Sequence, residues 1–78
     1  MVNTVKKVIK LSPNQVKDFV NAATKCDFDV DVAYNHLSVD AKSILGVFGL
    51  DFARPLTVSY IGYNQEFENY LDQHALAC

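Results

Sequence analysis

Hydrophobic positions along the chain change period five times, and each change marks an element. VNTVKKVIKL sets β-branched residues between lysines and predicts a strand over residues 2–11. Val5, Ile9 and Leu11 share one parity while Val8 takes the other, so a bulge or an edge position is expected there. Ser12, Pro13 and Gln15 form a helix start with a capping-box spacing. Val16, Phe19, Val20 and Ala23 follow at i, i+3, i+4 and i+7, with Lys17, Asp18, Asn21 and Lys25 opposite, which predicts a helix over 13–25. DFDVDVAY then alternates strictly: Asp27, Asp29 and Asp31 against Phe28, Val30, Val32 and Tyr34. That is a strand with one wet and one buried face.

Asn35, His36 and Leu37 read as a short connection, and SVDAK, residues 38–42, as the return strand of a hairpin. Ser43 caps a brief apolar helix over 44–48 that stops near Gly49. LTVSYIG, residues 56–62, is a strand with Leu56, Val58 and Tyr60 on one face. A last helix opens at the Asn64 cap, with acids in its first turns and a stripe of Phe67, Tyr70, Leu71 and His74. The order β-α-β-β-α-β-α, with strands buried on one face only, predicts an α+β open-faced sandwich: a four-stranded, mainly antiparallel sheet with three helices on one side.

Composition narrows the function classes. Seventy-eight residues, half of them hydrophobic, make one small domain spanning 1–78. A net charge of -2, without a basic run, argues against direct nucleic-acid or membrane binding. No apolar run nears the ~20 residues that span a bilayer, and MVNTVKKVIK lacks an apolar signal core, so the expected location is cytoplasmic. Cys26 and Cys78 make a poor disulfide framework and read as structural or incidental.

The segment VNAATKCDFDVDVAYNHLSVDAKSILGVFGLDFARPLTVSYIG resembles the histidine-containing phosphocarrier family, HPr, of the sugar phosphotransferase system. The likeness runs without a gap from about Phe19 to Leu50 and continues as a pattern of elements beyond Leu56. Lys42, Ser43, Ile44, Gly46 and Val47 carry its most specific motif. The resemblance implies the open-faced sandwich already read from periodicity. It also implies a phosphate acceptor at the start of the first helix, in the pattern Gly-Leu/Ile-His-Ala-Arg-Pro. Here that segment is Lys10-Leu11-Ser12-Pro13-Asn14-Gln15. Ser12 stands in place of the histidine, Asn14 in place of the arginine, and Lys10 in place of the glycine. A phosphoserine ester is far less reactive than phosphohistidine, and a serine without a base is a poor nucleophile. Without the arginine there is no guanidinium fork for phosphate. Ser12 therefore reads as an N-cap, and no catalytic residue is assigned.

Ser43 has a second role by resemblance. The serine of this motif is phosphorylated in Gram-positive members by an ATP-dependent kinase, and the product is corepressor for a transcription regulator of carbon catabolite control. An HPr homologue of catabolite repression lacks the histidine and keeps the serine, which is the arrangement here. The expectation is a non-enzymatic regulatory module that needs no cofactor. Its protein partners would be a serine kinase and a transcription regulator, with a docking patch of Ile44, Leu45 and Phe48 behind Ser43. Two alternatives stand beside it: a divergent phosphocarrier using another residue, and an interaction module with no phosphate chemistry, in which Ser43 is only a cap.

Other chemistry is weaker. Asp27, Asp29 and Asp31 resemble the opening of a calcium loop, but Val32 stands where its glycine is required and Ser38 where its bidentate glutamate is. Neither His36 nor His74 has a carboxylate or cysteine at ligand spacing, so no metal site is assigned. Tyr60, Tyr63 and Tyr70 read as packing residues, without the basic patch that single-stranded nucleic acid requires.

Overall fold

A computed structural model describes residues 4–75. Its elements are β1 (Val5–Ile9), a 3-10 turn (Pro13–Gln15) running into α1 (Val16–Thr24), β2 (Val30–Tyr34), β3 (Leu37–Asp40), α2 (Ile44–Phe48), β4 (Leu56–Tyr60) and α3 (Gln65–His74). The strands form one antiparallel sheet in the order β1-β4-β2-β3. Three helices cover one face and leave the other open. The predicted fold class holds.

The core lies between sheet and helices. Ile9, Leu56, Val58, Tyr60, Val30 and Val32 from the strands meet Val16, Phe19, Val20 and Ala23 of α1, Val47 of α2, and Phe67 and Leu71 of α3. Tyr60 anchors an aromatic stack: its ring lies 5.6 Å from Phe28 and 5.4 Å from Phe67, centroid to centroid. The open face carries Lys6, Ser59, Asp31 and Asp40 in one cross-strand row, and Val8, Thr57, Ala33 and Ser38 in the next.

Several boundaries differ from those predicted. β1 pairs with β4 in unbroken register, so there is no bulge: Val8 faces the open side at 45% exposure because β1 is an edge strand. Lys7 takes the inward place instead. β2 starts at Val30 rather than at residue 27; Asp27 lies in a bend and Asp29 just ahead of the strand. Phe28 leaves the strand to stack on Tyr60 and over Gly62, whose φ of 149° ends β4 early; a Cβ there would sit 2.4 Å from the Phe28 ring. Asn35 takes φ 55°, a conformation that asparagine tolerates, so the hairpin closes in two residues and Leu37 already pairs with Tyr34. That moves β3 one residue earlier than predicted. The Asp40 carboxylate then accepts the Lys42 N–H at 2.9 Å and ends the strand. Tyr63 is two-thirds exposed and is not a packing residue. The far end of the predicted last helix, with Cys78, lies outside the described residues.

Candidate functional site

The start of α1 is built by Leu11, which is buried and fixes the chain as it leaves the sheet. Ser12 follows in extended conformation and Pro13 occupies the first turn, where its missing N–H costs nothing. The Gln15 side chain accepts the Ser12 N–H at 3.0 Å, which is half of the predicted capping box. The Ser12 hydroxyl donates to the Asn14 side-chain oxygen. Ser12, Pro13 and Asn14 are all exposed. Among the described residues no histidine or arginine side chain hydrogen-bonds to them: His36 is in the β2–β3 turn, and His74 ends α3 with its ring 4.5 Å from the Tyr70 ring and its backbone carbonyl accepting the Lys10 N–H.

Lys10 does something its sequence position did not announce. Its ammonium donates to the carbonyls of Ala53 at 2.8 Å and Phe52 at 3.3 Å. The loop after α2 is thereby tied beside the start of α1. Lys10, Leu11, Ser12, Pro13, Gln15, Phe52 and Ala53 line the resulting shallow depression of about 540 Å³. Its walls are mostly apolar, and its one cation already binds two carbonyls.

The second region is α2. Ser43 takes an extended cap conformation and its hydroxyl oxygen accepts the Gly46 N–H at 3.4 Å, as its cap assignment predicted. Ser43 itself is exposed. Five residues allow little more than one turn, so one side chain faces inward: Val47 is fully buried. Ile44, Leu45 and Phe48 are 37%, 83% and 50% exposed. Ser43 and the three apolar residues therefore sit together at one short helix. Lys42, next to Ser43, is turned away: its ammonium donates to the Cys26 carbonyl at 3.0 Å.

A polar cluster between β1, β4 and α3 was missed from the sequence. Lys7 lies 2.6 Å from the Glu68 carboxylate and 3.1 Å from Asp72, and the Tyr60 hydroxyl donates to Glu68. The hydrogen bond to Glu68 raises the Lys7 pKa against the opposing effect of burial. Burial pushes Glu68 up, but the hydrogen bonds from Lys7 and Tyr60 outweigh it and hold Glu68 below the usual carboxylate range. Burial first, then the bond to Glu68, raises Tyr60. Tyr70, on the other side of α3, is pushed up to about 12 by burial and by Asp18. Both groups are locked in one protonation state at neutral pH and serve structure. Among the described residues, no three His, Cys, Asp or Glu side chains gather as metal ligands, and no helix is long and apolar enough to cross a membrane.

This arrangement is the HPr-like fold: an open-faced antiparallel sheet with three helices. Two solved structures carry the comparison. The phosphocarrier protein HPr from Bacillus anthracis str. Ames aligns over 94% of this chain and 98% of its own, with 22% identity and a TM-score of 0.69. HPr-C-His from Thermoanaerobacter tengcongensis aligns over 91% of this chain and 88% of its own, with 26% identity and a TM-score of 0.67. No protein-family model matches the chain, and no curated protein sequence matches it.

Proposed function

We propose that this chain is an HPr-like regulatory module that acts by protein contact, without phosphocarrier activity, and is switched by phosphorylation at Ser43. It acts in the cytoplasm and resembles the catabolite-repression branch that lacks the acceptor histidine. The observation that carries the reading is the pairing of an exposed cap serine with an exposed apolar trio on α2. A contiguous apolar patch beside a chargeable hydroxyl is suited to a docking surface whose affinity changes on modification. Phosphate on Ser43 would lie at a helix start, so the added charge is compatible with the fold and alters chiefly the surface seen by a partner. The start of α1 supports the other half of the reading. Ser12 has no base, Asn14 offers no cationic fork, and the Lys10 ammonium is bound to carbonyls. The partners fitting this scheme are a serine kinase and a transcription regulator, engaged through Ile44, Leu45 and Phe48.

Mass spectrometry after two parallel incubations tests it. One contains ATP and the serine kinase of the phosphotransferase system; the other contains phosphoenolpyruvate and that system's first enzyme. Phosphate on Ser43 in the first and none in the second is the expected result. Phosphate from phosphoenolpyruvate on any residue overturns the loss of carrier activity. No label in either overturns the switch and leaves an interaction module whose serine is only a cap.

A further inference from the structure

The sheet has two edges, and they are treated differently. β1 is guarded: it carries Lys6 and Lys7, Lys10 follows it, and Ala75 bridges to Ile9 with the Lys10 N–H donating to the His74 carbonyl at 3.0 Å. Lysines and a covering segment are the usual means of keeping an edge from pairing with another chain. β3, the opposite edge, has neither lysine nor proline, and Leu37 on it is 47% exposed.

The backbone of β3 shows what this edge offers. Ala41 donates its N–H toward β2, to the Val30 carbonyl at 2.8 Å. Antiparallel alternation then turns Leu37 and Val39 toward β2 and leaves Ser38 and Asp40 with their amides directed outward. The Asp40 carbonyl is taken by the Ser43 N–H at 3.0 Å, so the outward groups are the Ser38 N–H and carbonyl, the Asp40 N–H and the His36 carbonyl.

We propose that β3 is a self-association edge, at which two copies of this chain pair antiparallel about a two-fold axis through Ser38. The register follows from parity. With Ser38 opposite Ser38, the Ser38 amides and carbonyls bond reciprocally, and each Asp40 N–H meets a His36 carbonyl. Leu37 falls opposite Val39 on the helix-covered side, which extends the apolar row across the junction. On the open side each Asp40 carboxylate falls opposite a His36 imidazole. The single acid of this edge, which would face its own copy in the register that sets Asp40 opposite Asp40, is kept from that like charge in this one. An isologous contact of this kind closes at two copies and leaves the guarded β1 edges outermost. A four-residue strand is small for an interface, so association is expected to depend on concentration rather than to be permanent. The proposal is independent of any phosphate chemistry at Ser43.

Sedimentation equilibrium from about 10 μM to about 1 mM tests it directly. The weight-average mass should climb toward twice the monomer mass. Ser38→Pro removes the outward N–H without touching the β2 ladder, a position where proline is tolerated. That variant should keep the wild-type circular dichroism and melting and stay monomeric throughout. In a Cys78→Ser background, Ser38→Cys should cross-link to a covalent dimer on oxidation, because facing residues of a bonded pair lie about 5.5 Å apart at Cα, within disulfide reach. Lys6→Cys, on the guarded edge, should cross-link far more slowly. Wild type that stays monomeric over the whole range overturns the proposal. So does a Ser38→Pro variant that associates like wild type, or a Ser38→Cys variant that cross-links no faster than Lys6→Cys.

Discussion

Replacing each apolar residue of α2 by alanine in turn separates the side chain that belongs to the core from those left for a partner. Val47 is fully buried. Val47→Ala removes two methyl carbons at ~0.8 kcal/mol each and leaves a cavity in the core, giving about 2–3 kcal/mol before correction. Alanine recovers about 0.5 kcal/mol through its better helix propensity, so the net loss is about 2 kcal/mol. In a domain of this size each kcal/mol moves the melting temperature by about 4–8 °C, so the variant should melt about 10–15 °C lower. Leu45 is 83% exposed, and Leu45→Ala should cost under ~0.5 kcal/mol, a shift of a few degrees at most. Phe48, half exposed, falls between at about 1 kcal/mol.

Thermal melts followed by circular dichroism read all three. The order Val47, then Phe48, then Leu45, with at least a fourfold gap between the first and last, is the expected outcome. A Leu45→Ala variant that loses as much stability as Val47→Ala refutes the reasoning, because Leu45 would then be a core residue and the patch on α2 would vanish as a docking surface.

Two further outcomes follow from the packing and the polar cluster. The Glu68 pKa is depressed in the folded chain. Its stabilisation is therefore complete above the unfolded value, ~4.3, and is lost as pH falls through the lower folded value. Glu68→Gln should cost about 1–2 kcal/mol at pH 7 and show a shallower loss of stability between pH 5 and ~pH 2, measured by urea titration at each pH; equal slopes for both proteins would show that Glu68 is not the group responsible. Gly62→Ala should cost about 2–4 kcal/mol, since the residue holds φ 149° and its new Cβ would lie 2.4 Å from the Phe28 ring. Pairing it with Phe28→Ala should give less than the sum of the two losses, and strict additivity would mean that the ring is not what glycine accommodates.

Periodicity in the sequence carried the element order because each face is either covered by helices or open to water. Val16, Phe19, Val20 and Ala23 are all buried, as are Leu56, Val58 and Tyr60. Where a side chain answers to a distant backbone group, periodicity says nothing. Lys7 on an inward position violates the strand pattern, and only α3 lying across β1 with Glu68 and Asp72 explains it. Phe28 fits the alternation of its segment, yet the chain bends there so that the ring can reach Tyr60.

The two candidate regions differ in the same way. Ser43 was legible because a cap and a short apolar run are local features, and Val47 followed from the geometry of a single turn. Lys10 was not, because its partners are carbonyls forty residues away in a loop without periodic pattern. Histidine at position 12 would place an imidazole at a helix start that has no arginine at position 14. Its neighbouring lysine would still hold the Phe52–Ala53 backbone instead of facing an incoming phosphate. The single substitution Ser12→His is therefore expected to leave transfer from phosphoenolpyruvate undetected by mass spectrometry. A Ser12→His variant that accepts phosphate as readily as a working phosphocarrier would show that the Lys10 tether and the Asn14 substitution do not matter.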